Sequence, residues 1–139
     1  MPTAAKSRPV ILLVEDNPDD AALSTDFLRR AGCRVIHCNS GESALREIDR
    51  KIPCDAIVAD LRMPGIGGHG LLESLKARNL QFLTVVLSSS SYHKDIDRAY
   101  QSGASLYIEK PMDIEDWRNT LIALTNLYFS PWIKRPTAY

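Results

Sequence analysis

The 139-residue sequence predicts an α/β fold, a doubly wound sheet of five parallel strands covered by helices on both faces. Three observations carry that expectation. Short runs that are apolar throughout, without polar alternation, mark strands buried on both sides. Each run is followed by a segment with helical apolar spacing, and the strand–helix pair recurs along the whole chain. The length is that of one ordinary domain, so one core and one site are expected.

The first strand is Val10–Val14, VILLV, stopped by Glu15, Asp16 and Asn17. Asn17 suits a helix cap, Pro18 the first helical position, and Asp19 and Asp20 the electropositive first turn. Ala22, Leu23, Phe27, Leu28 and Ala31 form the apolar stripe of that helix, and Gly32 stops it. A second strand follows over 34–37, and a helix opens at Ser40 or Gly41 and runs through Ala44, Leu45 and Ile48. Ala56–Ala59 is the third strand, with a helix from about 71 to 78. Strand 84–87, helix 94–102, strand 106–108 and a final helix starting near Asp113 complete the pattern. Right-handed crossovers place such helices on both faces of the sheet.

Gly65, Gly67 and Gly70 in GIGGHG satisfy GxGxxG, the spacing that cradles a dinucleotide. That motif belongs directly after the first strand, with an acidic residue ending the next one. Here it follows the third strand, Arg62, Met63 and Pro64 intervene, and the next strand ends in Ser88. The stretch reads as a flexible loop over the site. No glycine-rich run ends in Gly-Lys-Ser or Gly-Lys-Thr, so there is no P-loop.

Composition narrows the function. Hydrophobic residues at 45% and charged residues at 24% are those of a folded domain rather than a disordered chain. Lys plus Arg and Asp plus Glu are both 17, so the broad basic surface that direct nucleic-acid binding needs is missing. No apolar run approaches the roughly 20 residues that cross a bilayer. Residues 1–9 are polar and read as a flexible N-terminal segment with no secretory signal, so a cytoplasmic protein without membrane insertion is expected. Cys33, Cys38 and Cys54 show no CxxC spacing and read as free thiols, while His37, His69 and His93 are too scattered for a transition-metal site.

In a sheet of this kind the site lies beyond the carboxyl ends of the strands, where strand order reverses. The first strand ends there in Glu15 and Asp16, the third in Asp60, the fourth in Ser88 and the fifth in Lys110 and Pro111. The second ends without an obvious functional group. Oxygen donors of this kind suit Mg²⁺, a hard cation that binds through one or two carboxylates plus phosphate oxygens. Asp60, between apolar Ala59 and Leu61, has no structural reason to be charged and suits a nucleophile that forms an aspartyl phosphate. Lys110 and the Ser88 hydroxyl would neutralise charge on the transferred group.

Glu15-Asp16, Asp60, Ser88 and Lys110-Pro111, in this order, resemble the receiver domain of two-component response regulators over about residues 10–127. The resemblance implies a flavodoxin-like sheet of strand order 2-1-3-4-5. It implies a switch protein, not an enzyme in the usual sense, that takes a phosphoryl group from the phosphohistidine of a sensor histidine kinase and later loses it by hydrolysis. By position, Asp60 resembles the phosphoacceptor, Asp16 a direct Mg²⁺ ligand, Glu15 an acidic partner acting mainly through metal-bound water, and the Arg62 backbone carbonyl a further ligand. Ser88 resembles the switch hydroxyl, Lys110 the phosphate-pairing lysine, and Tyr107 the aromatic that turns inward when the hydroxyl moves. Pro111 resembles the supporting proline of the Lys-Pro pair, which in the family often follows a cis bond. Serine stands at 88 where threonine is commoner, and Arg62 and Ser90 occupy positions the family uses to tune dephosphorylation.

Residues 128–139 read as an aromatic-rich C-terminal extension with no effector domain attached, which implies a stand-alone receiver. Leu127, Tyr128, Phe129, Pro131, Trp132 and Ile133, followed by Lys134 and Arg135, either fold back onto the core or form a contact with a partner or a second copy. For a dimer, the face of the fourth helix, fifth strand and fifth helix would be continuous with the tail. The Glu15-Asp16-Asn17-Pro18 start, the run Ser88 to Ser91 and the tail resemble the small regulators found with phytochrome-type kinases. Two alternatives stay open. An aspartate-nucleophile phosphohydrolase would carry a second Asp where Arg62 stands, and a degenerate receiver would bind partners without phosphorylation.

Overall fold

A computed structural model describes residues 8–130 of the chain. The N-terminal residues 1–7 and, in the tail, Pro131, Trp132, Ile133, Lys134 and Arg135 lie outside the described residues. The elements run β1 (Val10–Val14), α1 (Pro18–Arg30), β2 (Arg34–Cys38), α2 (Gly41–Asp49), β3 (Ala56–Ala59), α3 (Gly67–Ala77), β4 (Leu83–Ser88), α4 (His93–Gln101), β5 (Leu106–Glu109) and α5 (Ile114–Tyr128). The strands form one parallel sheet in the order β2-β1-β3-β4-β5. This is the expected doubly wound fold.

Local chemistry sets the helix starts. The Asn17 side-chain oxygen accepts from the Asp19 and Asp20 amides at 3.0 Å each, satisfying two amides that have no partner within the helix. Ser40 does the same for Ser43 at 3.1 Å, and Asp113 for Glu115 at 3.1 Å.

Alternation along the buried strands divides the core between two faces. Ile11 and Leu13 of β1 pack with Phe27, Leu28, Trp117 and Leu121 of α1 and α5, whereas Leu12 and Val14 pack with Ala44, Ile48, Leu71 and Leu75 of α2 and α3. The Trp117 indole N–H donates to Ser24 Oγ at 3.1 Å, so the one polar atom of that ring is satisfied in the core. Phe129, at the end of α5, also packs against this face, while Leu127 is exposed.

The glycine-rich stretch departs from expectation. It is not a flexible loop: Gly67 to Gly70 form the first turn of α3, which starts four residues earlier than the apolar spacing indicated. The cause is a close approach. A Cβ on Gly68 would sit 2.2 Å from the Asp60 backbone oxygen, so only glycine lets α3 dock against the end of β3.

Candidate acidic phosphoryl site

The strand order reverses at β1, whose neighbours β2 and β3 lead away on opposite sides, and the crevice opens beyond their carboxyl ends. Ladder bonds carry on just past the strands. The Glu15 amide donates to Cys38 O at 3.0 Å, the Asp60 amide to Val14 O at 3.0 Å, and the Lys110 amide to Ser88 O at 2.7 Å. Glu15, Asp60 and Lys110 are thereby carried to the rim on rigid backbone. The Glu15 carbonyl in turn lies 2.7 Å from His37 Nε2 of β2.

One oxygen each from Glu15, Asp16 and Asp60 lie within 4.8 Å of one another. The Lys110 ammonium meets Glu15 Oε1 at 2.6 Å, Asp20 Oδ2 at 2.8 Å and Asp60 Oδ2 at 3.2 Å, with its side chain only 8% exposed. The other Asp60 oxygen accepts from the Leu61 amide at 2.7 Å. Lys110 Nζ also stands 6.0 Å from the centre of the Trp117 ring, within cation–π reach.

Burial and neighbouring charge both act on the titration of Glu15 and Lys110. Burial pushes the Glu15 carboxyl up to about 7, and the Asp60 charge adds to the rise, against the opposing hydrogen bond from Lys110. Burial works against the Lys110 ammonium, but its hydrogen bonds to Asp20 and Glu15 and the Asp60 charge outweigh it and raise its pKa above the ordinary value. A surplus of carboxylates over cations, all offering oxygen, fits a hard divalent cation, and no sulfur or imidazole belongs to the cluster.

The remaining expected residues lie on the same rim but face elsewhere. Ser88 is 1% exposed and its hydroxyl accepts from the Ser90 amide at 3.2 Å. Tyr107 is half-buried against Leu61, Leu72, Val86, Ala99 and Ala104, and its hydroxyl donates to the Ser90 backbone oxygen at 2.7 Å. The Arg62 guanidinium turns to Asp95 of α4 at 3.0 Å. No cis peptide bond occurs among the described residues, so the bond before Pro111 is trans, unlike the form frequent in the family.

Three residues of this neighbourhood escaped the sequence reading. Asp20 was accounted for as a first-turn charge, although its position one turn into the helix after the acidic pair was a usable signal. Asp95 gathers Ser90 Oγ at 2.6 Å, Arg62 at 3.0 Å and His69 Nε2 at 3.4 Å. His69 Nδ1 is buried without a hydrogen-bond partner among the described residues.

Comparison with known proteins decides what the rim belongs to. Residues 11–122 match the family model described as the response regulator receiver domain. The chain belongs to the response regulator receiver family. A receiver domain is a phosphoacceptor switch of two-component signalling, generally not classed as an enzyme, and phosphorylation and Mg²⁺ are typical of the family. The receiver is 31% identical over 137 residues to the probable methanogenesis regulatory protein FilR2 of Methanothrix harundinacea, covering 91% of this chain and 87% of that protein. It is 31% identical over 112 residues to the DNA-binding transcriptional regulator NtrC of Klebsiella pneumoniae, covering 78% of this chain but only 23% of NtrC. Among solved structures it shares its fold with the phosphorylated cyanobacterial phytochrome response regulator RcpA, with a TM-score of 0.82, 24% identity, and coverage of 94% and 99% of the two chains. Among the described residues no helix is long and apolar enough to cross a membrane.

Proposed function

We propose that this receiver, spanning residues 10–127, accepts a phosphoryl group on Asp60 from the phosphohistidine of a sensor histidine kinase and returns to its resting state by hydrolysis. The observation that carries the reading is the buried Lys110 ammonium set 3.2 Å from Asp60 in a cluster of carboxylates that runs from buried Glu15 to exposed Asp16. An Asp60 carboxylate oxygen forms the bond to phosphorus as the phosphorus–nitrogen bond breaks, and its electron pair returns to the imidazole ring. Glu15, Asp16, Asp60 and the Arg62 backbone carbonyl would hold Mg²⁺, which when bound supplies positive charge to the phosphoryl oxygens. Lys110 pairs with the charge gained by the site, and the Ser88 hydroxyl leaves the Ser90 amide to donate to a phosphoryl oxygen. Tyr107 follows through Ser90, and Pro111 supports the turn that carries Lys110. Hydrolysis restores the Asp60 carboxylate.

The output is a protein–protein contact, formed by α4, β5 and α5 and continued by the C-terminal extension, either with a target or with a second copy. Exposed Tyr92, Tyr100 and Leu127 support such a surface. A phytochrome-type kinase is the donor favoured by the Glu15-to-Pro18 start, the serine run and the fold shared with RcpA. The balanced charge supports a role without direct nucleic-acid contact, and the cytoplasm is where such a donor would meet it. Incubation with acetyl phosphate, followed by intact mass, tests the reading. One phosphoryl group should be gained with Mg²⁺ and none without it; an unchanged mass, with no consumption of donor, would overturn it.

A further inference from the structure

We propose that Asp20 is a positioning residue for Lys110, holding the ammonium from α1 so that one of its donors stays aimed at Asp60. The inference rests on the reading of Asp60 as phosphoacceptor. An ammonium has three donors and no acceptor, and those of Lys110 go to Glu15 at 2.6 Å, Asp20 at 2.8 Å and Asp60 at 3.2 Å. The two shorter contacts come from residues other than the acceptor. Together they make a two-point anchor from the residue after β1 and from α1, and the third and longest contact is the one that can pass to a group carried on Asp60.

A lysine stem is long and flexible, so a single partner does not define where its ammonium sits. Asp20 is itself well defined, because its amide is bound by the Asn17 cap at 3.0 Å. Its side chain is 27% exposed while the Lys110 side chain is 8% exposed, so the contact reaches from the rim inward to the buried ammonium. Asp20 is also separate from the group of Glu15, Asp16 and Asp60 whose oxygens converge, so of the two anchors Glu15 belongs to that group as well, and Asp20 serves the lysine from outside it. Exposed Asp19, one residue earlier, offers the same charge to the same helix end and so separates positioning from simple capping.

The test is the rate of phosphoryl gain from acetyl phosphate at saturating Mg²⁺, followed by intact mass in the full chain. Asp20→Ala should slow uptake about tenfold or more, Asp20→Glu should recover part of the rate, and Asp19→Ala should leave it unchanged. Titration with Mg²⁺ alone should give Asp20→Ala an affinity within about twofold of wild type, since a tenfold change would correspond to a lost ligand. In a Lys110→Ala background, Asp20→Ala should add nothing, because the effect passes through the lysine. If Asp20→Ala fails to fold, Asp20→Asn, which keeps an oxygen acceptor without the charge, should by itself take up the phosphoryl group more slowly than wild type, and wild-type uptake by it would overturn the inference. Wild-type uptake in Asp20→Ala, equal slowing by Asp19→Ala, or a slowed rate that returns at higher Mg²⁺ would each overturn the inference. No uptake by the wild type would instead overturn the reading of Asp60, and this inference with it.

Discussion

Tyr107 ties β5 to the segment after β4: its hydroxyl donates to the backbone oxygen of Ser90 at 2.7 Å, while Ser90 Oγ donates to Asp95 at 2.6 Å. Ser90 is therefore gripped at both ends. Tyr107→Phe removes one of these grips and should cost about 1 kcal/mol of stability, the usual net worth of one hydrogen bond. Urea unfolding measures this, and phosphoryl uptake should persist because the hydroxyl touches none of the acidic cluster. Loss of uptake in a stably folded Tyr107→Phe would assign the hydroxyl to the chemistry itself.

Gly68 is expected to be intolerant for a reason the glycine run alone does not disclose. An added Cβ meets backbone, the Asp60 oxygen at 2.2 Å and Leu61 Cα at 2.8 Å, and backbone cannot swing aside as a side chain can. Gly68→Ala should therefore cost about 2–3 kcal/mol, as overpacking of a filled site does. Equal midpoints of chemical unfolding for the variant and the wild type would contradict the docking of α3 on the end of β3.

Asp95 gives the fold part of its acid sensitivity. The Ser90 hydroxyl, with His69 and the charge of Arg62, holds its carboxyl below the ordinary 3.8 in spite of partial burial. The unfolded chain then binds a proton more readily than the folded one, so this contribution is full above the ordinary value and lost as pH falls through the lowered one. Asp95→Asn should lower the melting temperature near neutral pH and by progressively less below about pH 4. Curves that stay parallel down to pH 2.5 would show that the carboxylate charge at 95 does not act on stability.

What the sequence discloses depends on the range of the interaction. The five strands are legible because a strand buried on both faces has to be apolar throughout, and VILLV or AIVA has no other comfortable place. Glu15, Asp16, Asp60 and Lys110 are legible for the converse reason, as charges at strand ends where packing asks for none. Asp20 was hidden because capping already accounts for an acid in that turn. Asp95 was hidden because its partners Arg62 and His69 lie 33 and 26 residues away, on elements whose relative placement only the folded sheet defines. Gly68 was misread for the same reason, since its small size answers to the backbone of another element and not to local flexibility.

The central claim, that Asp60 carries the phosphoryl group, is tested most directly by locating the modification. An acyl phosphate is reduced by borohydride to the alcohol, which converts a phosphorylated aspartate to homoserine. After incubation with acetyl phosphate and Mg²⁺, then reduction and proteolysis, peptide mass spectrometry should find homoserine at position 60 in the wild type and none in Asp60→Asn. Homoserine at Glu15's neighbour Asp16 or at Asp20, or an unchanged Asp60 in a protein that has gained a phosphoryl group, would contradict the account.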